Sequence, residues 1–143
     1  MIIKKLNIDE IPELIKLYDE LVTVKNELDV IQKKYQEIIN NDDYIILVAK
    51  EEEEKIIGTA MGICCKTLAF NGENFLVVED VIVSDMYRRK GIGRKLFEAL
   101  DNFAFEKNCA YSILVSSDFR VEAHIFYEKM GYIDGVKGFR KGY

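Results

Sequence analysis

The chain has 143 residues, 49% apolar and 31% charged, which suits one globular domain and excludes a fibrous or disordered polymer. Its net charge of −5 argues against a nucleic-acid surface and fits a cationic or amine partner better. No apolar run reaches the roughly 18 residues that a bilayer crossing needs, and the N-terminus lacks the apolar core and cleavage site of a secretion signal, so no membrane association and a cytoplasmic location are expected.

In chain order, Ile2–Leu6 predicts a short strand. Asp9 can cap a following helix, with Pro12 in its first turn, where a missing N–H costs little. Ile11, Leu14, Ile15, Tyr18, Leu21 and Val22 share one helical face, and Leu28, Ile31, Tyr35, Ile38 and Ile39 repeat the spacing. No strong breaker lies between them at Thr23–Asn26, so two helices or one bent helix fit. Tyr44–Lys50 and Ile56–Cys65 read as antiparallel strands joined by an acidic turn, Glu51–Glu54. That turn is a solvated hairpin end or, alternatively, an attractor of cationic groups. Asn71-Gly72 marks a turn, and Phe75–Val83 is the strongest strand, rich in Val and Ile.

Gly91 opens a helix with Ile92, Leu96, Ala99, Leu100, Phe103 and Ala104 on its apolar face. Tyr111–Val115 predicts a strand, and Asp118 caps a helix that runs to Met130 and stops at Gly131. Tyr132–Phe139 predicts a closing strand, weakened by Gly135 and Gly138. Three successive strands predict an antiparallel meander, and the later strand–helix–strand unit predicts parallel pairing. The expectation is one α/β domain over residues 1–143, a mixed sheet with helices on both faces. Three cysteines, two of them adjacent, and one histidine make a poor disulfide or zinc framework, so free thiols and no metal are expected.

The chemistry concentrates in Val77–Leu100. A strand enters a basic loop, Ser84–Lys90, which ends in Gly91-Ile92-Gly93 at a helix start. The first amides of a helix lack intrahelical partners, and the macrodipole adds positive character there. Arg88, Arg89, Lys90, Arg94 and Lys95 surround that position with charge, which makes a cradle for a pyrophosphate. A phosphate-binding GxxxxGK[ST] loop is absent, and a GxGxxG dinucleotide fingerprint fails at Leu96.

Arg88-Arg89-Lys90-Gly91-Ile92-Gly93 resembles the (Q/R)xxGx(G/A) acetyl-CoA motif of the GCN5-related N-acetyltransferase (GNAT) family, with Asp85 where proline is frequent. Arg120 to Tyr132 is similar to that family's NxxAxxFYxxxGF stretch: Ala123, Phe126, Tyr127 and Gly131 match, Tyr132 replaces phenylalanine, and Arg120 replaces asparagine. The resemblance implies a mostly antiparallel central sheet of about six to seven strands in which two parallel strands splay apart. It further implies that the backbone of Val81, Ile82 and Val83 pairs with the pantetheine arm of acetyl-CoA. Arg88, Arg89, Lys90, Gly91, Ile92, Gly93 and Arg94 then hold the pyrophosphate, with Arg120, Ala123 and Phe126 also at the cofactor.

Acetyl transfer to an amine requires removal of a proton from the ammonium, donors for the developing oxyanion, and a proton for the departing thiolate. By the resemblance, Tyr127 is the acid for the thiolate. Glu79, which interrupts an apolar strand, is the candidate base, directly or through water, and is expected on the same face as Phe75, Val77, Val81 and Val83, with Asp80 on the other. His124, the one histidine, reads as a helix-surface residue. The function expected is acetyl transfer from acetyl-CoA to a small-molecule amine such as an amino sugar, aminoglycoside, polyamine or amino-acid derivative. A protein or peptide acetyltransferase and a non-catalytic acyl-CoA-binding module are the alternatives, and edge strands of such a domain can pair into a homodimer.

Overall fold

A computed structural model describes residues 1–51 and 55–143; Glu52–Glu54 of the acidic turn lie outside the described residues. The elements are β1 (Ile2–Lys5), α1 (Ile11–Tyr18), α2 (Leu28–Ile38), β2 (Tyr44–Lys50), β3 (Ile56–Cys65), β4 (Asn74–Val83), α3 (Ile92–Glu106), β5 (Cys109–Ile113) and α4 (Val121–Lys129). The five strands form one sheet in the order β1-β2-β3-β4-β5, antiparallel except for the parallel pair β4/β5.

Helices cover both faces, as alternating apolar positions on the central strands require. On one face α3 and α4 pack on Leu47, Ala60, Leu76 and Val78 through Leu96, Phe97, Leu100 and Tyr127. On the other, α1 and α2 bury Ile11, Leu14, Leu17 and Tyr35 against Leu6, Val48 and Ile82. Each such fully buried large side chain contributes about 1.5–3 kcal/mol by leaving water. The Tyr35 hydroxyl is satisfied by donating to the Leu6 carbonyl at 2.9 Å.

Asp9 does not cap α1. A short 3-10 turn, Ile8–Glu10, precedes the helix, and the Glu10 carboxylate reaches back to the Asn7 amide at 3.0 Å. The same carboxylate receives the ammonium groups of Lys4 at 2.8 Å and buried Lys50 at 2.6 Å, clamping β1, β2 and α1. Burial works against its ionised form, but these hydrogen bonds prevail and hold the Glu10 carboxyl at about 2. The helical pattern resolves into two helices, with the stretch 19–27 as their connection.

Among the described residues the sheet has five strands rather than six or seven, because the closing strand Tyr132–Phe139 does not form. Past Tyr132 the backbone makes only local bonds among the described residues, such as Val136 N–H to Asp134 C=O at 2.9 Å. Ile133, Val136 and Phe139 are exposed and so gain nothing to offset the ordering cost that Gly135 and Gly138 raise. β5 lies two residues earlier than expected.

Candidate active site

β4 and β5 are paired only as far as Val77↔Ile113. Beyond that point β4 continues to Val83 with β3 on one side, through Thr59↔Ile82 and Gly58↔Val83, and, among the described residues, no strand on the other. The open edge of Val81–Val83 faces a cleft of about 890 Å³ whose other walls are the β4–α3 loop, the first turn of α3, and α4.

The loop is shaped by its own contacts. The Arg88 guanidinium binds the Val83 carbonyl at 3.3 Å and the Asp85 carboxylate at 2.6 Å, so this side chain clasps the loop. Glu20, in the connection that follows α1, accepts from the Asp85 amide at 3.2 Å. Arg89 and Gly91 both adopt left-handed backbone, at φ +60° and +79°. At Gly91 the conformation costs nothing, which is why glycine precedes the helix. The first helical bond of α3 is Lys95 N–H to Gly91 C=O at 3.2 Å; among the described residues, the amides from Arg89 to Arg94 find no acceptor. A helix start with several free amides, beside the Arg89 and Arg94 side chains, is an anion seat.

Gly93 has a different purpose. A Cβ there would lie 2.9 Å from the Phe126 ring, so glycine lets α4 close on the first turn of α3. Phe126 then meets Phe97 edge-on at 5.3 Å, and Tyr127 packs on Phe97 at 5.9 Å. Tyr127 is 7% exposed and lines the cleft, and its hydroxyl has no hydrogen-bond partner among the described residues. Burial raises its phenol, with the nearby Arg120 pulling the other way.

Of the expected cofactor residues, Val81, Ile82, Val83, Arg88, Arg89, Gly91, Ile92, Gly93, Arg94, Arg120, Ala123 and Phe126 all line this cleft. Lys90 does not; its ammonium sits 4.8 Å over the ring of Tyr87, a cleft residue that the motif did not flag. His124 is a half-buried helix residue, its ring nitrogen 3.0 Å from the Ser117 carbonyl.

Glu79 also lies off the cleft, and it shares its expected face with Phe75 and Val77 but not with Val81 and Val83. Between Met61↔Glu79 and Thr59↔Ile82 β4 holds one residue more than β3, a β-bulge in which Asp80 takes φ +53°. The extra residue inverts the alternation. Leu76 and Val78 join the α3 core below the bulge, Val81 and Val83 join it above, and Ile82 turns to α1. Glu79 therefore shares a face with Asp80, not with Val81 and Val83. Desolvation raises the Glu79 carboxyl, the Asp80 charge adds to that, and Arg140 opposes it. Desolvation likewise raises Asp80.

The acetyltransferase (GNAT) family model matches residues 11–132. The chain belongs to the GNAT family of acetyltransferases. It is an acetyl-transferring enzyme by that membership, and its free strand edge and amide-rich helix start lie inside the matched span. Its fold is similar to that of glucosamine-6-phosphate N-acetyltransferase from Arabidopsis thaliana, with a TM-score of 0.89 and 28% identity over 99% of this chain and 97% of that one. An aminoglycoside acetyltransferase from an uncultured soil metagenomic sample shares the fold at a TM-score of 0.82, with 21% identity over 99% and 94% of the two chains. A GNAT family acetyltransferase of Staphylococcus aureus does so at 0.79, with 24% identity over 99% and 98%. No curated protein matches the sequence. Among the described residues no helix is long and apolar enough to cross a membrane.

Proposed function

We propose that this GNAT domain, spanning residues 1–143, transfers the acetyl group of acetyl-CoA to the primary amine of a small molecule. The observation that carries the reading is the meeting, in one cleft, of an unpaired strand edge, free helix-start amides and the cleft-lining Tyr127. These groups fit coenzyme A part by part: amides for a diphosphate, strand edge for the amides of a pantetheine arm, phenol for a thiolate. Bound acetyl-CoA would supply an activated acetyl thioester.

The chain's own residues then do the following. The amides from Arg89 to Arg94, with the Arg89 and Arg94 side chains, neutralise the diphosphate, while Arg88 holds the loop in shape. Val81–Val83 align the arm along β4. Tyr127 donates a proton or hydrogen bond where negative charge develops on sulfur. Glu79, on the opposite face of β4, takes the proton from the acceptor ammonium through water; its raised carboxyl suits that task.

The structural neighbours that act on glucosamine 6-phosphate and on aminoglycosides favour an amino-sugar acceptor. Calorimetric titration with coenzyme A, followed by an amine panel assayed for thiol release, tests the reading. Heat of binding with thiol release is expected. Absence of binding defeats the reading, and tight binding without release on a broad panel leaves a binding module in its place.

A further inference from the structure

The thiols take no part in the chemistry above, and all three are free. Cys64, near the end of β3, is 5% exposed, and Cys109 opens β5; both pack in the core beneath α3. Their sulfurs stand 4.0 Å apart. Backbone ties hold each of them there. The Cys64 amide donates to the Asp43 carbonyl at 2.7 Å. Asn74 fixes the turn that enters β5: its side-chain amide donates to the Lys107 carbonyl at 2.8 Å and its backbone N–H to the Asn108 carbonyl at 3.0 Å. Cys65 stands apart from the pair, because its side chain points to the other face of β3, with its thiol 3.7 Å from the Ile63 carbonyl. Burial explains a small apolar residue at positions 64 and 109, but not sulfur at both.

The spacing decides what such a pair can hold. A disulfide closes two sulfurs to about 2.05 Å and needs Cα atoms within roughly 7 Å. β4 lies between β3 and β5, which sets them two strand spacings of about 4.8 Å apart, so the backbone resists that closure. Metal–thiolate bonds run to about 2.3 Å, so one ion between two sulfurs spaces them about 3.8 Å at a tetrahedral angle and about 4.6 Å in line. The observed 4.0 Å falls inside that window. Tetrahedral zinc needs further ligands, and among the described residues no group of three or more His, Cys, Asp or Glu side chains could hold a metal ion. Two thiolates without a third ligand select a soft ion that is satisfied by two, which is Cu(I). We propose that Cys64 and Cys109 form a two-thiolate site for one Cu(I) ion. On binding, two S–H bonds break, two Cu–S bonds form, both protons leave to solvent, and copper keeps its oxidation state. The complex carries one negative charge. Lys66 and Lys107 lie two residues from Cys64 and Cys109 and reach the Asp43 carboxylate at 3.7 and 3.6 Å, so they offset that charge. The ion ties β5 to β3; among the described residues β5 otherwise joins the sheet only through its short ladder to β4.

The test uses the full chain, reduced and free of oxygen, with Cu(I) supplied as its acetonitrile complex and bathocuproine disulfonate as the competing chelator. One Cu(I) per chain is expected, with two sulfur neighbours and no nitrogen or oxygen in X-ray absorption. Saturating Cu(I) should raise Tm by about 5 °C or more. Cys64→Ser and Cys109→Ser should each weaken binding by about a hundredfold or more, the loss of a chelate, and the double variant should lose little beyond either. Cys65→Ser should bind as the wild type does. Circular dichroism and coenzyme A affinity check that each variant is folded. If buried Cys64→Ser does not fold, half-buried Cys109→Ser and the wild-type absorption spectrum still decide. Three ions per chain, nitrogen or oxygen in the coordination shell, or a loss in Cys65→Ser equal to that in Cys109→Ser overturns the inference. So does Cys109→Ser binding within about threefold of wild type, since a chelate that loses one thiolate cannot keep its affinity.

Discussion

Behind β4, the frame of the site is backbone, free amides from Arg89 to Arg94 and the open edge of Val81–Val83, to which the Arg89, Arg94 and Tyr127 side chains add. In front of β4 the polar groups are side chains, Glu79, Asp80 and Tyr18, brought together from β4 and α1 and flanked by the exposed connection 19–27 and the exposed C-terminal segment. The rear is specified by a few consecutive residues that set φ and start a helix. The front depends on how separate segments meet. A backbone site can therefore be written as a short motif, and a side-chain site cannot.

Three substitutions and one truncation probe that division. Tyr127→Phe should lower kcat by about a hundredfold or more, the range of a general acid, with coenzyme A affinity unchanged in calorimetry. A kcat near wild type would remove the hydroxyl from the chemistry. Glu10→Gln should cost about 2–3 kcal/mol in denaturant unfolding, because it strands buried Lys50. The Glu10 carboxyl is held at about 2 when folded, so its stabilising effect is complete above the ordinary carboxylate range near pH 4.5 and is lost as pH falls toward 2. The wild type should lose stability across that window more steeply than Glu10→Gln, while both bind coenzyme A alike at pH 7.

Gly91→Val should weaken coenzyme A binding roughly tenfold, from the strain of a β-branched residue at positive φ. An unaltered affinity would show that the rear does not depend on this backbone. Removal of residues 134–143 should change stability by less than about 0.5 kcal/mol, since that segment buries no core. Its effect belongs to acceptor KM, where Arg140 reaches the field of Glu79.

The rear was legible because each residue type there has a local reason: Gly91 for its left-handed cap, and a basic run for a helix start. Gly93, expected at the pyrophosphate and lining the cleft, has a further reason the motif did not show: it admits the Phe126 ring. The front was misread where strict alternation was assumed through Glu79 and Asp80. Nothing in VVEDVIV announces a bulge; it emerges from the register with β3. The closing strand failed for a related reason. Tyr132–Phe139 has strand-like residues, but pairing needs a partner in register and a face to bury against, and neither is a property of the segment itself.

The open edge of Val81–Val83 carries a hazard as well as an opportunity. A half-finished ladder will accept any extended chain, including a stray segment of a neighbouring molecule. Here the part of that edge that lines the cleft is only three residues long, and α4 walls it in. Trimming the chain ahead of α4 would strip away that shield and turn the cradle into a nucleus for clumping. The helix that carries Tyr127 thus also acts as a guard on quality control.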